Sequence, residues 1–331
     1  MGESAHPPPP RSSDDPRQPA PHGARLPPSL TEQRLAVVLD VASRFQTGVP
    51  LDSLVDLLPP DGPRTAAELE QWMNRARSEG VVVGDRVFKT HSPEETAELD
   101  RRRARGEIYL GLARKLVGET LRPALGLLRS IEVTGSTAYG DPKLDDDCDF
   151  LVVAREGALW LFIGYLYLRL RFAPPSDSEG PLPRWCFNYV VDERTILADF
   201  SRPQGFLFAR EALTARPIYG EEFYQGLVGS NDWLRQEAPR LFARWGVGTP
   251  AKRPPTRPSS WPIRAASLAT FPWVAAYLQL VGLIRNHRHR RAGHSEECFR
   301  TVTKLDRMTF VSEKFERLID LYGPATALPR G

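Results

Sequence analysis

Cysteine is scarce in this sequence: Cys148, Cys186 and Cys298 are the only three in 331 residues. Their wide spacing gives neither a disulfide framework nor a zinc-ligand pattern, which suits a reducing cytosol. A strong excess of one charge is also missing. Lysine and arginine total 44 against 41 acids, a formal net charge of +3. With a sequence pI near 8.8, that balance fits nucleic-acid contact without demanding it. A secretory leader is not expected, because the first residues are polar and rich in proline. The expected location is therefore cytoplasmic.

Residues 1–28, with Pro7 to Pro10 and further prolines to Pro28, cannot bury apolar surface, and a disordered tail is expected there. The whole chain of 331 residues, 41% of them hydrophobic, is long and apolar enough for two or three packed units. Residues 29–90 read as three helices and a hairpin. Ser29 with Glu32, and Thr65 with Glu68, form capping boxes. Leu35, Val38, Leu39, Ala42 and Phe45 make a helical stripe, and Leu69, Trp72 and Met73 make another. Val81 to Val83, Gly84-Asp85 and Arg86 to Phe88 give a β-hairpin. This unit resembles a winged helix-turn-helix. Its third helix would then offer Gln71, Asn74, Arg75 and Arg77 to DNA, although Glu68, Glu70 and Glu79 mix the charge and favour a packing role.

Residues 92–118 read as one long helix opened by Ser92-Pro93-x-Glu95. Arg101, Arg102, Arg103 and Arg105 crowd its middle; the neighbouring acids favour a solvated face over a phosphate site. Leu159 to Phe172 is apolar nearly all round, so a buried helix is expected, with Trp160, Tyr165 and Tyr167 in the core. Four prolines in residues 173–183 mark a surface loop. Arg184 to Val191 reads as a strand with Cys186, Asn188, Val190 and Asp192 on one face. Residues 205–246 read as helical, with Phe206 to Arg216 ended by Pro217-Ile218-Tyr219-Gly220, then Glu221 to Leu227 and a last helix opened by Ser230 to Trp233; residues 247–261 read as a linker. Ala265 to Ile284 lacks any charge and runs into Arg285, His287, Arg288, His289, Arg290 and Arg291. Length and flanking charge pass for a membrane span. Pro272 and Gln279 weaken that reading, so a helix packed on the main domain is expected and membrane contact is not. His287, His289 and His294 near Cys298 suggest metal less than a basic surface turn. Two short amphipathic helices are expected over residues 295–322, with Phe310, Val311, Phe315, Leu318, Ile319 and Tyr322 inward.

The chemistry concentrates in Ile131 to Val153. A short strand ends in Gly135-Ser136, a polar loop turns at Tyr139 to Pro142, and a run of acids enters a second strand, Phe150 to Val153. Asp147 and Asp149 are two apart on an extended segment, so both carboxylates share a face and Cys148 points the other way. Paired carboxylates repel unless a cation lies between them, and Mg²⁺ takes one or two protein carboxylates and leaves its other positions to water and phosphate. Gly135 lets a phosphate approach the backbone, and Ser136 offers a hydroxyl and an amide.

Strand, Gly-Ser, loop, Asp-x-Asp and apolar strand together resemble the nucleotidyltransferase superfamily that includes DNA polymerase beta and the minimal nucleotidyltransferases. Cys186, Asn188-Tyr189, Ala209-Arg210-Glu211, Pro217, Tyr219-Gly220, Asn231 and Trp233 further resemble a bacterial nucleotidyltransferase-like family with a winged-helix-like amino terminus, over roughly residues 30–245. The resemblance implies an α/β fold of the α+β kind. A small mixed sheet over residues 91–246 would be flanked by helices, with the winged-helix-like unit before it; the residue pattern, outside the span of the resemblance, adds a helical extension over residues 262–331. It implies Mg²⁺ on Asp147 and Asp149, triphosphate on Gly135 and Ser136, and transfer of a nucleoside monophosphate from NTP to an acceptor. The acceptor stays open between a protein hydroxyl, an RNA end and a small molecule. The family's third carboxylate is absent from the interior of strand 184–191, where Asn188 stands as a candidate metal ligand that cannot act as a base. That departure keeps an alternative open: a catalytically degenerate domain, fused to a winged helix, that senses nucleotide or binds DNA. Arg210 and Glu211 are expected either at the site or as an ion pair in the helix layer.

Overall fold

The structure is a computed structural model, and it describes residues 29–44, 47–76, 80–89, 93–144, 146–171, 183–245, 254–293 and 298–312. Outside these lie the proline tail, Phe45, Arg77, Glu79, the Ser92 cap, most of the 173–183 loop, the first half of the 247–261 linker, His294, and the apolar residues from Phe315 to Tyr322.

The chain is mixed α/β with two sheets. Helix α1 (Leu30–Arg44) starts at the expected box: the Ser29 amide donates to Glu32 Oε2 at 2.6 Å, and the Glu32 amide donates to Ser29 Oγ at 3.2 Å. Strand β1 (Val49–Pro50), helix α2 (Leu51–Leu57) and helix α3 (Ala66–Ala76) follow. The second box caps α3, with the Glu68 amide donating to Thr65 Oγ1 at 3.1 Å. Strands β2 (Val81–Val83) and β3 (Arg86–Phe88) complete a three-stranded sheet ordered β1-β3-β2. Buried Leu35, Val38, Leu39, Leu54, Leu69, Met73 and Val87 form the core of this unit.

Helix α4 (Pro93–Lys115) ends in a wider π turn, Leu116–Thr120, where one continuous helix to residue 118 was expected. The second sheet is built on strands β4 (Leu128–Thr134), β5 (Asp147–Ala154) and β6 (Arg184–Asp192). Strands β4 and β5 are antiparallel; β5 and β6 are parallel and joined through helix α6 (Leu159–Arg171). Between β4 and β5 sits helix α5 (Gly135–Tyr139). After β6 come α7 (Glu193–Phe200), α8 (Phe206–Thr214), strand β7 (Arg216–Tyr219), α9 (Glu221–Gly229), α10 (Asp232–Glu237) and α11 (Pro239–Ala243). Helix α12 (Trp261–Arg291) precedes strands β8 (Phe299–Lys304) and β9 (Arg307–Ser312). The six-stranded order is β7-β4-β5-β6-β9-β8.

Three expectations are corrected. The stretch from residue 205 to 246 is not all helix: Arg216–Tyr219 is a strand on the sheet edge, beside β4, where Pro217 is tolerated. Strand β6 ends at Asp192, as expected, and Asp192 Oδ1 there accepts the Thr195 amide at 2.9 Å and caps α7. Residues 299–312 form a β-hairpin in place of a helix, because Thr301, Val302, Thr303, Thr309 and Val311 are β-branched and alternate across the pleat. Consequently residues 262–331 are not a purely helical extension: β9 pairs with β6, setting Tyr189 opposite Thr309, and so joins the main sheet.

Each side of this sheet is covered. Ile131, Val133, Phe150, Val152, Phe187, Val190 and Met308 face a core completed by α4, α6 and α12. Val153, Val191 and Leu151 face the helices α7 to α11, whose core is continuous with that of the amino-terminal unit. The expected core aromatics are in place: Trp160 is buried and donates Nε1 to the Lys304 carbonyl at 3.0 Å, and Tyr165 donates to the Thr120 carbonyl at 3.0 Å.

Candidate functional site

Strand β4 delivers Thr134 directly opposite Asp149 of β5. The chain then turns at Gly135, whose φ is +66°. That left-handed conformation favours glycine. Space demands glycine as well: a Cβ there would stand 2.7 Å from Asp149 Oδ2. The Gly-Ser turn and the acidic strand are therefore in contact, although 14 residues separate Gly135 from Asp149 along the chain. Ser136, Asp147 and Asp149 are all partly exposed, while Cys148 between the two acids is fully buried on the other face. The alternation expected of this segment holds.

Burial and the neighbouring Asp147 charge push the Asp149 carboxyl up to about 7. Glu211 and Asp146 add to the like charge, while a hydrogen bond from Cys186 opposes it. Burial, then the Asp149 charge, lifts both flanking thiols, Cys148 to about 12 and Cys186 further. Neither cysteine is a thiolate nucleophile in this setting.

Asn188 is brought to Asp149 by an irregularity. Register slips between β5 and β6, with Asp149 opposite Cys186 but Leu151 opposite Tyr189. The extra residue on β6 frees Asn188 to donate Nδ2 to Asp149 Oδ1 at 3.0 Å. It also corrects the single-face expectation: Val190 lies in the opposite core, and Tyr189 turns its hydroxyl to Asp199 of α7 at 2.8 Å. Asp192, spent as the α7 cap, is not part of the site.

Helix α8 reaches the turn from above. The Tyr139 hydroxyl of α5 donates to Glu211 Oε1, and the Arg210 guanidinium lies 4.5 Å over the Tyr139 ring. Arg210 and Glu211 thus both grip α5. The loop after α5 is strapped down as well. Asp141 Oδ2 accepts from Arg86 at 2.6 Å and from Thr47 Oγ1 at 2.5 Å; Arg86 and Asp141 are buried between the units and Thr47 is half-buried. Arg105 donates to the Pro142 carbonyl at 3.0 Å and Tyr109 to the Leu144 carbonyl at 2.9 Å. Sequence reasoning missed Tyr139, Thr47, Arg86 and Asp141; the one available signal was a cation, Arg86, set next to the apolar pair Val87-Phe88.

The arginines of α4 are largely occupied: Arg105 and Arg101 pair with Glu98 at 3.1 and 3.6 Å, Arg103 pairs with Asp85, and Arg102 is buried. On α3, Gln71, Asn74 and Arg75 are exposed beside Glu68 and Glu70, while all of β3 is buried. His287 and His289 lie on α12, and buried Cys298 points at the Asn286 carbonyl; these residues do not converge. Among the described residues no group of three or more His, Cys, Asp or Glu side chains is arranged to hold a metal. Asp147 and Asp149 offer hard carboxylate oxygens of the kind Mg²⁺ uses, and their mutual repulsion is what a divalent cation relieves, while Asn188 turns an amide donor, not its oxygen, to Asp149. No family model, curated protein or solved structure matches this chain.

Proposed function

We propose that this protein is a Mg²⁺-dependent nucleotidyltransferase that moves a nucleoside monophosphate from NTP to an acceptor. One observation carries the reading: Gly135 lies so close to Asp149 that a methyl group between them would clash, at 2.7 Å. A phosphate-binding turn and a metal-binding carboxylate must be neighbours for this reaction. Gly135 and Ser136 would bind the outer phosphates of NTP, and Asp147 and Asp149 would hold the ion, with Asn188 fixing the Asp149 carboxylate through Oδ1. Bound Mg²⁺ would neutralise phosphate charge and acidify the acceptor hydroxyl. Glu211 and Arg210, through Tyr139, keep α5 and its Gly-Ser turn in place. Asp141 with Arg86 anchors the loop that follows. The element order of residues 29–90, helix–strand–helix–helix–strand–strand, supports a winged-helix unit as the anchor.

The test is transfer of label from α-labelled NTP, with pyrophosphate released, to protein, RNA or small-molecule fractions of a lysate. Activity is expected to need Mg²⁺ and to vanish in the Asp147→Asn, Asp149→Asn double variant. Undiminished transfer by that variant would refute the assignment.

One observation favours a second reading. β6 supplies an amide in place of a carboxylate, and that amide occupies one oxygen of Asp149. A degenerate domain that binds nucleotide and regulates through DNA contact on α3 would show salt-dependent DNA binding without turnover, weakened by Arg75→Glu.

A further inference from the structure

Helix α12 has two unlike faces. Its inner face is fastened to the protein. Ser267, Ala275, Leu278 and Gly282 are buried, Ser267 Oγ accepts the Trp160 amide at 3.0 Å, and Asn286 Nδ2 donates to the Phe299 carbonyl at 2.6 Å. A Cβ on Gly282 would meet Thr301 Oγ1 at 2.5 Å, so the hairpin β8–β9 lies directly on the helix. The outer face is apolar, and among the described residues nothing covers it. Trp273 is 80% exposed, Leu283 67%, Leu268 60% and Leu280 57%, with Tyr277 and Ile284 also exposed. Trp273, Leu280, Ile284 and Arg291 follow at spacings of seven, four and seven residues, which places them on one line along the helix. The same line therefore runs from apolar side chains into the exposed Arg291, with Arg288 and Arg290 exposed on either side of it; no ion pair is seen for these three among the described residues. Soluble monomers rarely leave so continuous an apolar stripe uncovered.

We propose that this outer face is a docking surface for a bilayer rich in anionic phospholipid, on which α12 lies flat. Two features select a bilayer over a second copy of the chain. Residues 261–293 contain four arginines beyond Ile284 and no acidic residue, so a second α12 would cover the apolar side chains but offer no counter-charge. Anionic headgroups offer that charge beside the acyl region that takes Trp273, Leu280 and Ile284. Tryptophan and tyrosine, with an apolar body and a polar edge, suit that boundary. The helix lies in the plane and does not cross, because its inner face is bonded to α6 and the hairpin along its length. The 31 residues give a contact about 46 Å long.

The test uses the full chain and sedimentation with vesicles of phosphatidylcholine alone or mixed with phosphatidylglycerol. Sedimentation is expected with the mixed vesicles, reversed by high salt and by alkaline carbonate. Trp273→Glu with Leu280→Glu should weaken it at least about tenfold, as loss of buried apolar surface dictates. Arg288→Gln, Arg290→Gln and Arg291→Gln together should remove the preference for anionic lipid. Brominated lipids should quench Trp273 fluorescence in the unaltered protein, scored against Trp273→Phe, which keeps the proposal testable if a charged variant misfolds. Four results overturn it: a chain that stays in the supernatant with both vesicles; binding unchanged by the glutamate pair; resistance to carbonate, which means a spanning helix; or a dimer by light scattering that Leu280→Glu makes monomeric, which assigns the face to a second copy.

Discussion

The two faces of strand β5 are made from alternate residues of one eight-residue segment, yet they obey different rules. Cys148, Phe150 and Val152 are fully buried; Phe150 stacks on Phe187 with ring centroids 4.7 Å apart. Asp147 and Asp149 on the other face stay partly exposed and repel each other. On the first face every group is satisfied by packing. On the second, stability is sacrificed: a carboxyl is held near neutrality against a glycine turn, and an amide steadies one of its oxygens. Repulsion of this kind, placed beside ordinary core, is what the proposed metal site would need and what a purely supporting face would not.

Substitutions on the two faces should therefore part company. The largest effect belongs to the acidic face: Asp147→Asn with Asp149→Asn should lower transfer by about a thousandfold or more, the scale of losing transition-state charge stabilisation, without lowering the melting temperature. Phe150→Ala, one position away, should do the reverse. It should cost about 3–5 kcal/mol in urea unfolding and leave the Mg²⁺ affinity of the folded fraction unchanged. Asp141→Ala tests the strap between the units; among the described residues it leaves buried Arg86 the Gly48 carbonyl, 2.7 Å away, and no carboxylate, and it should cost about 3 kcal/mol while weakening NTP binding.

The smallest effect has the opposite sign. Asp149 titrates near 7 in the folded chain against an ordinary value of 3.8. Its proton is held more tightly by the folded state, so the stability this gives is full below the ordinary value and fades as pH rises toward 7. Without metal, Asp149→Asn should raise stability at pH 8 by about 1 kcal/mol, discounted for the part-exposed carboxyl. The gain should disappear at pH 4, and Mg²⁺ should narrow it by stabilising the parent protein. A melting-temperature series across pH measures all three.

What the sequence displayed was local. The Ser29 and Thr65 boxes, the turn at Gly84-Asp85, the Gly135-Ser136 step and the alternation of Asp147, Cys148 and Asp149 each need only near neighbours. What it concealed was set by distant partners. Strand β7 is four residues long, contains Pro217 and exists by pairing with β4. Hairpin β8–β9 is ordered on β6 and α12, so its β-branched residues outweighed a pattern that also suits a helix. The slip that turns Asn188 to Asp149 is a property of two strands in register, and period-two counting along β6 alone misplaces Val190. Arg86 and Asp141 are 55 residues apart, and neither announces the other.

The central claim is that Asp147 and Asp149 hold a divalent ion against the Gly135-Ser136 turn. Electron paramagnetic resonance of Mn²⁺, titrated into the full chain with and without NTP, tests it most directly. Binding that tightens with NTP and is lost in the Asp147→Asn, Asp149→Asn variant is the expected result. The same Mn²⁺ affinity in both proteins would contradict the account.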